Sequence, residues 1–137
     1  MKQKPVLTAF IGRGQAACIK RLLRGEEGAW YRERVEALQA VVDAMPTTYE
    51  TDGQGDKAMA RLHYMWGSVD AWVTELDMGA KGDTDADYQR QAFGLVDLGF
   101  GAELGYINIP ELLANGLEVD LTWVPKAIGE IREQKGL

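Results

Sequence analysis

Chemistry in this chain has to come mainly from carboxylates. Residues 97–107 read DLGFGAELGYI, which sets Asp97 and Glu103 among Gly99, Gly101 and Gly105, with Tyr106 following. Upstream, Glu75 and Asp77 stand two apart, and the run GDTDAD places Asp83, Asp85 and Asp87 at alternate positions. Two or three such groups can form an acid/base pair or hold a divalent cation if the fold brings them together. The nucleophilic alternative is thin. His63 is the only histidine, Cys18 the only cysteine and Ser68 the only serine, so a Ser–His or Cys–His pair must run through His63. Ser68 falls in a predicted hairpin turn, and pairing Met65 with Val69 there leaves His63 several residues away. Cys18 falls on an apolar helical stripe, where a buried, inert thiol is expected.

The familiar loop motifs each fail a requirement. A phosphate loop needs glycines opening onto a helix N-terminus, with Gly-Lys-Ser or Gly-Lys-Thr after them. Here Gly105 runs into Tyr-Ile-Asn-Ile, and Arg90 is the only base between Lys81 and Lys126. The glycines therefore read as a bend between strands, with Gly105 expected to need a positive φ or a close strand contact. An EF-hand starting at Asp83 needs glycine at its sixth position and glutamate at its twelfth; those positions hold Tyr88 and Gly94. The run is expected to be a solvated hairpin loop, and no metal or cofactor is expected. Tyr64, Trp66, Trp72, Phe93, Phe100, Tyr106 and Trp123 fall on or beside predicted strands. A base-stacking platform interleaves aromatics with Lys and Arg; few are present here, so core packing is the expected role.

The elements that carry these residues follow from periodicity. Gln15–Arg24 puts Ala16, Ile19, Leu22 and Leu23 on one stripe, with Lys20, Arg21 and Arg24 around it and Gly25 as terminator. A second helix is expected over Glu27–Met45, with Trp30, Val35, Leu38, Val41 and Val42 at helical spacing and Pro46 ending it. Thr47–Asp56 is turn chemistry. Strands are expected over Ala58–Trp66, Val69–Leu76, Gln89–Leu98, Glu103–Ile109 and Leu117–Val124. A short helix starts with Pro110 at its first position, and Lys126–Lys135 is read as a terminal helix. The order implies one α+β domain over residues 1–137. Its helical segment, 1–46, packs on a mainly antiparallel sheet of four to five strands formed by 47–137, with a short helix after the fourth strand.

A chain of 137 residues with 46% apolar composition can bury one sizeable core without a disulfide or metal. The single cysteine, the lack of a signal-like apolar run and the lack of a membrane-length stretch lead us to expect a cytoplasmic protein with no membrane partner. Net charge is −6, unevenly spread. Residues 1–44 hold eight Lys or Arg against five Asp or Glu, and the remainder seven against sixteen. The acidic part disfavours wrapping a nucleic-acid backbone and suits a basic partner or simple solubility.

Several of these stretches share an order with one known family. Trp72-Val-Thr74-Glu75, Phe93-Gly94, Glu103-Leu-Gly105-Tyr106, Glu111-Leu112 and Asp120-Leu-Thr-Trp-Val-Pro125 make residues 48–128 resemble domain-of-unknown-function family 2958. That family comprises small proteins carried on plasmids, integrative elements and phages. The resemblance implies a mobile-element accessory protein and supplies no activity. The leading expectation is a non-catalytic protein that binds a host or element-encoded protein, an antagonist of a host defence complex being one concrete form. Candidate binding residues are Asp83, Asp85, Asp87, Asp97, Glu103 and Tyr106. One alternative is a metal-assisted hydrolase or nuclease built on Glu75, Asp77, Asp97 or Glu103. The other is a nucleic-acid-binding regulator using Lys20, Arg21 and Arg24.

Overall fold

Apolar residues spaced three and four apart form the first two regular elements. In the computed structural model, which describes residues 7–78 and 86–137, a 3-10 turn at Leu7–Ala9 precedes α1, Arg13–Leu23. Lys20 and Arg21 in its last turn complement the helix dipole. Helix α2, Gly28–Ala44, ends where Met45 turns extended ahead of Pro46. Its buried face includes Leu38 and Val42, whereas Trp30 is exposed and carries Arg34 over its ring. Cys18 departs from expectation and is exposed. Successive helix residues are rotated by about 100°, so burying Ile19 turns its neighbour outward.

The rest of the chain builds an antiparallel sheet. Its strands are β2 (Leu62–Trp66), β3 (Val69–Glu75), β4 (Ala92–Asp97), β5 (Ala102–Ile107) and β6 (Glu118–Val119), in the order β5-β4-β3-β2-β6. The expected strand over 58–66 is split. Met59–Ala60 forms a separate strand, β1, which pairs with β7 (Lys126–Ala127). The Gly67-Ser68 turn is one residue tighter than expected, since Trp66 and not Met65 pairs with Val69. The expected strand over 117–124 shrinks to two residues because the Asp120 carboxylate accepts from the Thr122 amide and hydroxyl, closing a local turn. The strand expected from Gln89 begins at Ala92 instead. Gln89 is buried in a 3-10 segment, and its amide exchanges two hydrogen bonds with the Asp77 backbone. Helix α3, Ile109–Ala114, is capped by the Asn108 side chain, which places Pro110 second in the helix, not first.

The two faces of the sheet have different covers. One face packs Leu62, Tyr64 and Val73 against Phe10, Val42 and Ile109. The Tyr64 hydroxyl donates to the Phe10 carbonyl at 2.7 Å, and burial pushes its pKa above the usual phenol value. The other face packs Trp72 and Leu95 against Ile128 and Ile131 of α4, Ile128–Lys135. On this second face, register aligns His63, Trp72, Leu95 and Leu104 across four strands. The alternation holds until Val73. There Gly94 pairs with Val73 and Phe93 with Glu75, leaving Thr74 as an extra residue, a bulge. A bulge reverses the facing of the residues beyond it, so Glu75 joins the face of Trp72 and Leu95. Beside the bulge, Gly94 has no room for a side chain, since a Cβ there would run into the Trp72 carbonyl.

Candidate functional site

Glu75 is 4% exposed, although it lies at the end of a strand. Its burial is compensated by the loop that leaves α2. That loop begins as a single parallel bridge between Thr47 and Leu76, fixed by the Leu76 amide donating to the Pro46 carbonyl. It then wraps over the carboxylate. The Tyr49 amide donates to Oε1 at 2.8 Å, and the Thr51 amide and hydroxyl donate to Oε2 at 3.0 and 2.6 Å. To aim its N–H inward, Tyr49 adopts φ +68°, a left-handed conformation that side chains with a Cβ rarely take. All three donors are neutral, and no cation pairs with this buried carboxyl group among the described residues.

The loop and sheet enclose a cleft of about 340 Å³ over this carboxylate. Tyr49, Phe93 and Tyr106 supply aromatic surface, Asp52 a second carboxylate, and Gly53 and Gly55 the loop side; among the described residues, none of those lining the cleft is Lys, Arg or His. The Tyr106 phenol is raised above its ordinary pKa, first by its hydrogen bond with Tyr49, and further by the negative field of Glu75 and Asp52.

A second depression, of about 430 Å³, follows β5 itself. Phe100 to Tyr106 line it without interruption. Successive strand residues point to opposite faces, so an unbroken run of liners means that the groove follows the open edge of the strand. β5 is the terminal strand of the sheet and pairs only with β4 among the described residues. Leu104 and Tyr106 line both depressions and so join them. Phe100 is 88% exposed, and Leu98, Leu104 and Tyr106 are also exposed. The core role expected for Phe100, Tyr106 and Trp66 is therefore wrong, while Trp72 and Tyr64 are buried as expected.

DLGFGAELGYI is the β4–β5 hairpin. Gly99 and Gly101 take φ of 106° and 120° in its turn, the bend anticipated from sequence. Gly105 corrects the expectation placed on it. It has no positive φ, and open space surrounds the place a Cβ would fill; the tight glycine is Gly94.

The other candidates scatter. Asp97 closes the hairpin turn by accepting from the Gly99 amide, and Asp77 accepts from the Gln91 amide. Glu103 is exposed on β5 and lines the groove with Tyr106. Asp83, Asp85 and the Asp87 side chain lie outside the described residues. Lys20, Arg21 and Arg24 are exposed at the end of α1. Among the described residues, no three His, Cys, Asp or Glu side chains are grouped so that they could hold a metal ion. No described helix is long and apolar enough to cross a membrane.

Sequence reading missed a second polar cluster. His63 is buried, stacked on Trp72 with ring centroids 5.3 Å apart and tilted against Trp123. Its Nε2 lies 2.7 Å from Asp70 Oδ1 and its Nδ1 3.4 Å from Asp120 Oδ2. Burial acts to raise the Asp120 pKa, but hydrogen bonds from Thr122 and the His63 partner outweigh it and hold it below the ordinary value. Ser68 is beside Gly99 in its own turn, and His63 pairs far down the hairpin with Trp72, so the two do not form a catalytic pair. This cluster ties β6 to the sheet centre. Tyr49, Thr51 and Asp52 were also missed, because turn composition marks a loop without indicating what it closes over.

No protein-family model, curated protein or solved structure matches this chain.

Proposed function

We propose that this chain is a non-catalytic binding protein that docks an extended segment of another protein along the open edge of β5. One observation carries the reading: the edge strand β5, which pairs only with β4 among the described residues, borders a groove whose walls include the exposed side chains Leu98, Phe100, Leu104 and Tyr106. Exposed strand edges are normally shielded by charge, proline or a covering element. An edge left open beside apolar side chains suits strand addition, in which backbone hydrogen bonds supply affinity and alternate side chains specificity. The acidic residues beside it, Asp52, Glu75 and Glu103, favour a partner segment carrying positive charge. The resemblance to family 2958 supplies the setting of a mobile-element accessory protein, and antagonism of a host defence complex is the version we put forward. Glu75, Asp77 and Asp97 each accept from backbone amides, those of Tyr49 and Thr51, Gln91 and Gly99 respectively, which supports binding over carboxylate catalysis.

Affinity capture from the natural host tests this with three proteins: the native chain, Phe100→Asp, and a Lys20, Arg21 and Arg24 to Ala triple variant. The native chain and the triple variant should retain a common protein that Phe100→Asp loses. In that complex the amides of 102–107 should gain protection from hydrogen exchange. Retention of nucleic acid that vanishes in the triple variant would establish the basic helix as the functional surface and overturn the proposal.

A further inference from the structure

We infer that the cleft between Tyr49 and Tyr106 is a receptor for an arginine side chain of the docked partner. This rests on the strand-docking reading and names the residue that the site selects.

Four observations support it. The cleft holds a carboxylate, Glu75, that is buried, bonded only to neutral donors, and without a cation among the described residues. A second carboxylate, Asp52, shares the lining, where no basic residue occurs among the described residues. Three aromatic residues, Tyr49, Phe93 and Tyr106, are in its lining, and aromatic rings attract cations. Finally, the cleft meets the β5 groove at Leu104 and Tyr106, so a strand laid along β5 can place a side chain into it. Charge alone would accept either cation. The guanidinium is planar and weakly hydrated, stacks on aromatic faces and pairs with carboxylates through a rigid fork, which suits a site made of rings and two carboxylates better than an ammonium does. An anionic ligand is disfavoured because Glu75 and Asp52 would repel it and no base among the described lining residues would offset the repulsion.

The test is an amide-resolved NMR titration of the full chain with N-acetyl-L-arginine amide, with the citrulline analogue as a neutral control of nearly the same shape. Saturable shifts should be confined to the amides of Tyr49, Asp52, Gly53, Gly55 and Tyr106. Citrulline should bind roughly tenfold more weakly, because it loses the cation–π and ionic parts of the contact. Asp52→Asn should weaken arginine binding severalfold without altering the spectrum elsewhere, since Asp52 is exposed. Glu75→Gln serves as a second variant where its spectrum remains folded. Equal affinity for arginine and citrulline, or arginine shifts clustered away from the cleft, would overturn the inference. That result leaves strand docking standing if Phe100→Asp still abolishes capture. Loss of docking with intact arginine binding would overturn the docked strand as the source of the arginine, and the cleft would then serve another arginine-bearing ligand.

Discussion

Removing the Glu75 carboxylate should release the 47–57 loop at a cost that the hydrogen bonds allow one to estimate. The side chain accepts from the Tyr49 amide, the Thr51 amide and the Thr51 hydroxyl. Thr51 is buried, whereas Tyr49 is 68% exposed. In Glu75→Ala the Tyr49 donor can turn to water, but the two Thr51 donors lose their acceptor under cover. Each orphaned buried donor costs about 1–3 kcal/mol, and relief of the buried charge offsets part of the sum, giving about 2–4 kcal/mol. Glu75→Gln retains one acceptor oxygen. That oxygen can serve the Thr51 donors, while the amide NH2 opposes the Tyr49 N–H donor to donor and breaks that one bond, so the cost falls to about 1–2 kcal/mol. Urea unfolding reads both variants. With a slope of about 2 kcal/mol per molar, the alanine variant should lose roughly 1–2 M in midpoint. Hydrogen exchange at the Tyr49 and Thr51 amides should accelerate before global unfolding. The Glu75→Ala and Thr51→Ala changes should be non-additive by about 1 kcal/mol, because both remove the Thr51 hydroxyl bond to Oε2. An alanine variant with an unmoved midpoint and unchanged exchange at Thr51 would refute the idea that Glu75 holds this loop.

Trp72→Ala should destabilise by roughly 3–5 kcal/mol in the same urea assay, since its ring is 1% exposed and packs under Ile128 and Ile131; a small change would mean that α4 does not cover this face. Gly94→Ala should cost at least the ~1–3 kcal/mol of ordinary overpacking because the Trp72 carbonyl occupies the space. Gly105→Ala should stay within about 0.5 kcal/mol, and the reverse ranking would place the tight contact wrongly. Tyr64→Phe should cost about 1–3 kcal/mol by stranding the buried Phe10 carbonyl, visible as a lower thermal midpoint. Asp120 has a folded-state pKa below its ordinary value of 3.8, so its ionised form contributes stability above that value and loses it as pH falls through the lower folded value. Stability profiles from pH 6 to 2 should therefore be shallower in their acid limb for Asp120→Asn than for the native chain, and parallel profiles would remove Asp120 from the linkage.

Periodicity alone determined much of this protein. The stripes of α1 and α2, the stop at Pro46, the Gly67-Ser68 turn and the β-rich runs after it follow from local sterics and apolar spacing, and they sufficed to give an α+β arrangement with an antiparallel sheet. The burial of Trp72 and Tyr64 and the bend at Gly99 and Gly101 were legible for the same reason. Local pattern failed where partners came from far along the chain. The split between β1 and β2 depends on β7, more than sixty residues away in sequence. The 117–124 run alternates like a strand, yet the Asp120 turn and the short pairing with β2 end it at Val119. Most consequential is the bulge at Thr74. Period-two alternation puts Glu75 on the face opposite Trp72, and one unpaired residue moves it to the same face, beneath Tyr49 and beside Tyr106. The sequence could show Glu75 and Tyr106 as candidates, but not that a loop 24 residues upstream covers one of them and gives both a common cleft. Nor could composition separate Trp72 from Phe100, because an aromatic on a strand is buried only if another element covers that face. α4 covers Trp72, whereas Phe100 stands 88% exposed at the hairpin tip.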